Sequence, residues 1–311
     1  MKQSKSGVFF IDILGFSALT KGQIKGIKKE DYRAWGLKAS QFNNSFLSAK
    51  IILEFRSVLK LLKKKYHKIK IGQLSDCAFI WSENIVLLMQ AVHFMMWTMV
   101  GQKGILCRGG VSYGDIIEID RVNHNLGAFI VGNAATNAVK NEGRLKGPRI
   151  TMDLSVTDIL QQQMCEVSAA MLMAHDLFHN IESMIDMSQV DEYRWYLCDD
   201  DIIASTAMGM LDKGRIIELT KQRLKLANVL RFHPRMGWNA RSEEGFLQLK
   251  AGVKSLTENR LLGILHNFEI GELDETPRSE KYLQDSDKRV VNDRYYTVHQ
   301  KNEWKANLLC M

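Results

Sequence analysis

Three charged side chains stand where a folded chain pays to keep them. Asp12 interrupts the apolar stretch Gly7-Val8-Phe9-Phe10-Ile11-Asp12-Ile13-Leu14, and a carboxylate inside a buried strand is costly unless it is paired or holds a cation. Gly15 and Ser17 follow at once, so the strand should end in a turn whose backbone N–H groups can cradle an anion. Asp76 opens a second apolar segment, Asp76-Cys77-Ala78-Phe79-Ile80-Trp81, at the tip of an expected hairpin. Two carboxylates on neighbouring strands can hold two divalent ions. They can thereby help to deprotonate a ribose hydroxyl and to stabilise a pyrophosphate leaving group. Arg108 lies in a third strand, Ile105 to Gly114, and its guanidinium fork suits phosphate. Each has a plainer reading: an Asp closing a strand and capping the next helix, a hairpin-turn Asp, and an Arg on the exposed face of an edge strand.

The elements that must position these groups follow from periodicity. Glu30 to Tyr66 reads as one or two long helices, with Phe42, Phe46, Ile51, Leu53, Phe55 and Leu59 as the apolar stripe. His67 to Gly72 and Asp76 to Trp81 form the hairpin. Ser82 to Gln102 is expected as a helix with Ser82 as its N-cap. Strands follow at Gly104 to Asp120 and Gly127 to Val131, then a short helix from Gly132 to Leu145 and a strand at Pro148 to Met152. This order is a ferredoxin-like pattern with additions. Beyond Asp153, Ile159 to Ile185 is expected to be helical, Glu192 to Ile203 a strand, and Ile216 to Leu230 and Gly245 to Phe268 helices. The polar tail from Glu272 is expected to be partly loose.

Composition narrows the class. The 311 residues are 46% hydrophobic, enough for a full core. No apolar run reaches the roughly 18 residues of a membrane span; the best candidate, Ile85 to Val100, contains Gln90 and His93 and reads as a buried helix. No signal peptide is expected from the Met-Lys-Gln-Ser-Lys-Ser start. Five cysteines without CxxC spacing indicate neither a disulfide framework nor a zinc site, and point to the cytoplasm. The net charge of +7 suits nucleotides and phosphates. The basic run Lys60 to Lys70 lacks interleaved aromatics, so a solvated helix end is expected there and nucleic acid is not.

Four segments together resemble the class III nucleotidyl cyclases. Phe10-Ile11-Asp12-Ile13-Leu14-Gly15-Phe16-Ser17 is similar to that family's first metal-binding strand. Lys70-Ile71-Gly72-Gln73-Leu74-Ser75-Asp76 is similar to its hairpin, with Ser75 where the family has Gly. Arg108-Gly109-Gly110-Val111-Ser112-Tyr113-Gly114 looks like the strand whose Arg contacts the terminal phosphates. Val131 to Glu142 matches the segment carrying a transition-state Asn and Arg, here Thr136 and Lys140, with Asn133 and Asn137 close by. The place of the acid that reads a purine base holds Phe129. The spacing Gly132, Ala134, Ala138, Glu142 and the following Gly147-Pro148-Arg149-Ile150 look most like the bacterial pyrimidine cyclases of the Pycsar antiphage system. The resemblance covers Gly7 to Asp153.

That resemblance implies an α+β fold: a ferredoxin-like cyclase core over residues 1–153, an antiparallel sheet with helices on one face. A mainly helical extension over 154–270 and a polar tail over 271–311 would follow. It implies conversion of UTP or CTP to cyclic UMP or cyclic CMP plus pyrophosphate, as a second messenger in phage defence. Asp12, Asp76 and the carbonyl of Ile13 would hold two Mn²⁺ or Mg²⁺ ions per site. Gly15, Phe16, Ser17 and Arg108 would bind phosphates, Lys70 and Phe129 the base, and Thr136 and Lys140 would act in the transition state. Sites would form at the interface of a homodimer. The alternatives are a purine cyclase with an altered base pocket, an inactive nucleotide-binding module of the same fold, and an RNA-binding domain using Lys60–Lys70. His175 and His179, at metal-ligand spacing on an expected helix, are read as ordinary core or surface histidines.

Overall fold

A computed structural model describes residues 1–119, 128–163, 178–183, 187–197 and 226–257. The first element is a long strand, β1 (Lys2–Ile13), in which Val8 to Ile11 are buried. Helices α1 (Phe16–Thr20), α2 (Lys29–Ala34) and α3 (Asn44–Lys65) follow. The stripe of α3 that is buried is Leu47, Ile51, Phe55, Val58 and Leu62, a 3.6-residue repeat. Phe46 and Leu53, expected in it, are instead 46% and 60% exposed, because they fall on the opposite side of the helix.

The hairpin forms from β2 (Lys70–Leu74) and β3 (Cys77–Ser82). Its turn residue Ser75 has φ 55°, the left-handed conformation that a Gly would adopt without strain. Helix α4 (Ile85–Met96) is capped by the side chain of Asn84, which accepts from the N–H of Leu87, and not by Ser82. The hydroxyl of Ser82 serves one step earlier, accepting from the N–H of Asn84. The helix continues as a π-helical turn, Trp97–Gln102. By length and composition Ile85–Gln102 suffices to cross a membrane, contrary to the expectation from the sequence, and 61% of it is buried in the protein.

The remaining elements are β4 (Cys107–Ile119), β5 (Phe129–Val131), α5 (Asn133–Glu142), β6 (Ile150–Met152), α6 (Leu154–Gln163), β7 (Phe178–Glu182), β8 (Gln189–Tyr193) and α7 (Glu243–Thr257). Within the helix expected over Ile159 to Ile185, residues 178–182 form β7, so His179 lies on a strand, and His175 is outside the described residues; β8 overlaps only the start of the strand expected over Glu192 to Ile203, and Trp195–Leu197 is a 3-10 turn. The apolar and aromatic residues of these strands pair against β6 and each other. Residues 226–232 are helical, in the span expected for it. The acidic run Asp199–Asp201 and the polar tail lie outside the described residues.

The sheet order is β2-β3-β1-β4-β6-β8-β7, with β5 on β4. Its first four strands pair antiparallel in the ferredoxin-like order, and β4 with β6 is parallel. The fold is α+β. Both faces carry helices. Gly7 faces Ile85 and Leu88 of α4, while Gly110, in register with Phe10 on the other face, lies under α5. A Cβ on Gly110 would stand 2.1 Å from the Ala138 carbonyl oxygen and 2.4 Å from the Glu142 nitrogen, so only Gly admits the helix this close. Between α5 and the sheet lies an apolar cluster of Val8, Phe10, Phe79, Trp81, Ile116 and Ile130 with Ala134, Ala135 and Ala138.

The chain divides into two compact units. The first contains Met1–Leu14, Ile52–Met99 and the described residues from Cys107 to 197, and so the sheet. The second contains Gly15–Ile51, Val100–Leu106 and residues 226–257. It is held by the buried Asp31, which accepts from Arg241 and from the N–H of Lys28, and by Arg235, which lies over the Trp35 ring and donates to the carbonyls of Ala34 and Lys103.

Candidate active site

In the first unit, strand register gathers the expected charges. Asp12 is level with Cys77 on β3 and with Arg108 on β4, so the three side chains leave the same face of the sheet. Asp76 immediately precedes Cys77, and its carbonyl accepts from the N–H of Ile13 at 3.2 Å. Burial raises the Asp12 carboxyl from its ordinary 3.8 to about 7. The charges of Glu142 and Asp76 add to this, and Arg108 and the Ile13 backbone oppose it. The same three carboxylates, after burial, push the Cys77 thiol up to about 11. Negative charge is therefore concentrated at this end of the sheet.

Arg108 does not face solvent alone. Its Nε donates to Glu142, the last residue of α5, and its guanidinium also donates to the Leu145 carbonyl at 3.3 Å. The Gly110 contact makes this pair possible by bringing α5 down onto β4. Phosphate binding by Arg108 would mean exchanging Glu142 for phosphate oxygens. Thr136 is exposed, and its hydroxyl donates to the Gly132 carbonyl one turn back at 3.2 Å. Lys140 is exposed on α5, two residues before Glu142.

The base-reading candidates lie on the same face of the sheet, toward the opposite end of β3. Lys70 is in register with Trp81, and its ammonium donates to Glu118 of β4 at 2.5 Å. Phe129 packs edge-on against Phe79 with ring centroids 6.2 Å apart, and Phe79 in turn meets Phe10 at 4.9 Å. Gly72 admits this arrangement: a Cβ there would stand 2.6 Å from the Ala128 carbonyl oxygen.

In the second unit, Gly15 takes the left-handed conformation (φ 82°) and caps α1. The N–H groups of Phe16 and Ser17 precede the first intrahelical bond, from Leu19 to the Gly15 carbonyl. Trp238 and the side-chain amide of Asn239 lie against Gly15.

Two acids beside these were given no part in the site from the sequence, Glu142 being named only in the Gly132, Ala134, Ala138, Glu142 spacing and Glu118 not at all. Glu142 binds Arg108 and presses on Asp12; Glu118 binds Lys70. Glu118 stands among apolar residues (Ile116-Ile117-Glu118-Ile119), but Asp115 and Asp120 flank that stretch, so its signal in the sequence is weaker than that of Asp12.

Among the described residues no three His, Cys, Asp or Glu side chains form a ready metal cluster. The donor set nonetheless fits a hard divalent cation. Magnesium-type ions take one or two carboxylates and complete their shell with substrate phosphate and water. Asp12, crowded by other carboxylates, is the kind of ligand such a charge would relieve.

Among solved structures the chain is similar to a bacterial light-regulated adenylyl cyclase (16% identity, 66% of this chain and 97% of that one, TM-score 0.42). It is also similar to the dimeric guanylyl cyclase domain of the RhoGC fusion protein from the aquatic fungus Blastocladiella emersonii (13%, 62% and 98%, TM-score 0.41). A third is the adenylyl cyclase CyaB from P. aeruginosa (15%, 62% and 93%, TM-score 0.41). No protein-family model and no curated protein matches the sequence.

Proposed function

We propose that this protein is a metal-dependent nucleotidyl cyclase that converts UTP or CTP to its 3′,5′-cyclic monophosphate and pyrophosphate, and that the product is a second messenger in phage defence. The observation that supports the reading best is the register of β3, β1 and β4, which sets Asp12 beside the Asp76 hairpin and level with Arg108. Asp12 and Asp76, with the Ile13 carbonyl, would hold Mn²⁺ or Mg²⁺. Bound there, such ions supply positive charge for the phosphates and lower the pKa of the attacking hydroxyl. The 3′-hydroxyl would give its proton to solvent, its oxygen would form a bond to the α-phosphorus as the bond from that phosphorus to the bridging oxygen breaks, and pyrophosphate would leave with the electron pair. Arg108 would orient and neutralise the terminal phosphates, and the turn N–H groups of Gly15, Phe16 and Ser17 would donate to phosphate oxygens. Lys140 faces charge developing on the α-phosphoryl group, with Thr136 as a hydroxyl donor. Lys70 and Phe129 bind the base. Pairing of two copies would bring the carboxylate half of one chain against Lys70, Phe129 and Lys140 of the other. A cytoplasmic setting suits a chain whose site needs nucleotide and whose cysteines show no disulfide pattern.

The test is incubation of the purified chain with each of the four ribonucleoside triphosphates and Mn²⁺, with products resolved by chromatography, beside Asp76→Ala. A cyclic pyrimidine monophosphate that disappears in the variant is the expected result. A cyclic purine would favour the other base class, and no product from any triphosphate would sink the enzyme reading.

A further inference from the structure

The purine-reading acid is missing at Phe129, yet Lys70 is not without one. Glu118 reaches it from β4, one strand-pair away, being in register with Ile130 beside Phe129. The Lys70 ammonium donates to Oε2 at 2.5 Å, and the Trp81 indole N–H approaches the same oxygen at 3.5 Å. Glu118 is the less exposed of the pair, with 20% of its side chain accessible against 42% for Lys70. The pair stands between two cavities and lines both. One, of about 260 Å³, is walled by Ser4, Ser6 and Trp81; the other, of about 630 Å³, by Ile71, Gln73 and Ala128.

We infer that Glu118 is a specificity-determining residue of the base pocket, the hydrogen-bond acceptor that Phe129 cannot be. The inference rests on the cyclase reading and deepens it. Lys70 has three N–H donors and spends one on Glu118. The bonds to Lys70 and Trp81 fall on Oε2, so Oε1 is the oxygen that would take a base N–H. A donor and an acceptor side by side match a base edge that carries a carbonyl or ring nitrogen next to an N–H. N3–H and O4 of uracil or the amino group and N3 of cytosine answer to it, as do N1–H and O6 of guanine or the amino group and N1 of adenine, so the choice of base rests on where the pair holds the ring. Phe129 lines neither cavity; it follows Ala128 of the larger one and packs on Phe79, and an aromatic ring there can stack on a base but reads none. The acceptor stands on β4, in register with Ile130 of β5, and so fixes where the base must sit.

The test measures binding of the α,β-methylene analogues of ATP, GTP, CTP and UTP, with Mn²⁺, to the full chain by calorimetry. These cannot release pyrophosphate, so binding is read without turnover. The wild type should prefer one base. Glu118→Gln should shrink that preference by roughly ten- to a hundredfold, the value of a hydrogen bond to a charged acceptor. Glu118→Asp should restore part of it. Glu30→Gln, which removes the exposed partner of Arg33 on α2 and lines neither cavity, should leave it unchanged. A uniform loss of affinity with the base ratio intact would make Glu118 a structural partner of Lys70 and overturn the inference, while the cyclase reading stands. Binding of all four analogues with no preference would overturn it equally. Failure of the wild type to bind any of them would overturn both.

Discussion

Replacing Asp12 by Asn should stabilise the cation-free protein at the pH where the enzyme would work. In the folded chain the Asp12 carboxyl is raised from 3.8 to about 7. A group held above its unfolded value is more easily protonated in the folded state. Its contribution is therefore neutral below about pH 4, grows increasingly unfavourable between about pH 4 and pH 7, and is constant above that. The gap between 3.8 and about 7 corresponds to at most about 4 kcal/mol. Asp12 is only partly buried, and solvent screening brings the expected figure down to roughly 2 kcal/mol. Asn keeps the shape and never ionises, so the two proteins should differ little at pH 4, by about a third of the full effect at pH 5, and most at pH 8. For a unit of this size that is a rise of roughly 4 to 8 °C in Tm at pH 8. The assay is thermal unfolding in EDTA from pH 5 to pH 8, followed by circular dichroism. Other carboxylates titrate in both proteins, and their contribution cancels in the difference. Adding Mn²⁺ should then raise the wild-type Tm and leave Asp12→Asn nearly unmoved. Parallel pH profiles, or a variant less stable than wild type at pH 8, would refute the account of a crowded, desolvated carboxylate awaiting a cation.

Gly110→Ala should cost about 3 kcal/mol or more in urea unfolding, because its Cβ meets α5 backbone atoms that cannot step aside; a near-neutral result would mean α5 does not lie on β4. Ser75→Gly should raise Tm by roughly 2 to 4 °C by removing a left-handed Ser, about 1 kcal/mol, and an unchanged Tm would count against the strained turn. Glu142→Gln should bring the Asp12 midpoint below about 7, since a raising charge is lost and Arg108 is released toward the carboxylate. The shift is readable by carbon NMR titration, and a rise would contradict the arrangement.

The sheet and hairpin were legible because their signals are local. Alternation, turn residues and apolar runs placed β1, β2, β3, β4 and α5 within a few residues. Asp12, Asp76 and Arg108 stood out because a charge in an apolar strand is costly wherever it sits. What escaped depends on contacts distant in sequence. Whether Arg108 meets Glu142 is decided by how near α5 comes to β4, which Gly110 fixes and periodicity cannot show. The segment before β7 is rich in Met and His and carries helical spacing, but pairing with β8 made residues 178–182 a strand. On α3 the residues judged apolar included two that face outward, since hydrophobic character alone does not select a face.

Strand β4 is a ruler. Ten residues separate Arg108 from Glu118, a contour of roughly 33 Å at the usual rise of an extended chain, longer than a nucleoside triphosphate. One nucleotide therefore cannot engage both ends of the same strand, and under the proposed cyclase reading the two half-sites of a copy would each have to be completed by a different molecule. Genetics offers a readout of that division. A chain carrying Asp76→Ala and one carrying Lys70→Ala would each be silent alone. Mixed and allowed to exchange subunits, they should recover about a quarter of wild-type turnover, because half the pairs are hybrids and each hybrid assembles one intact site from the undamaged halves.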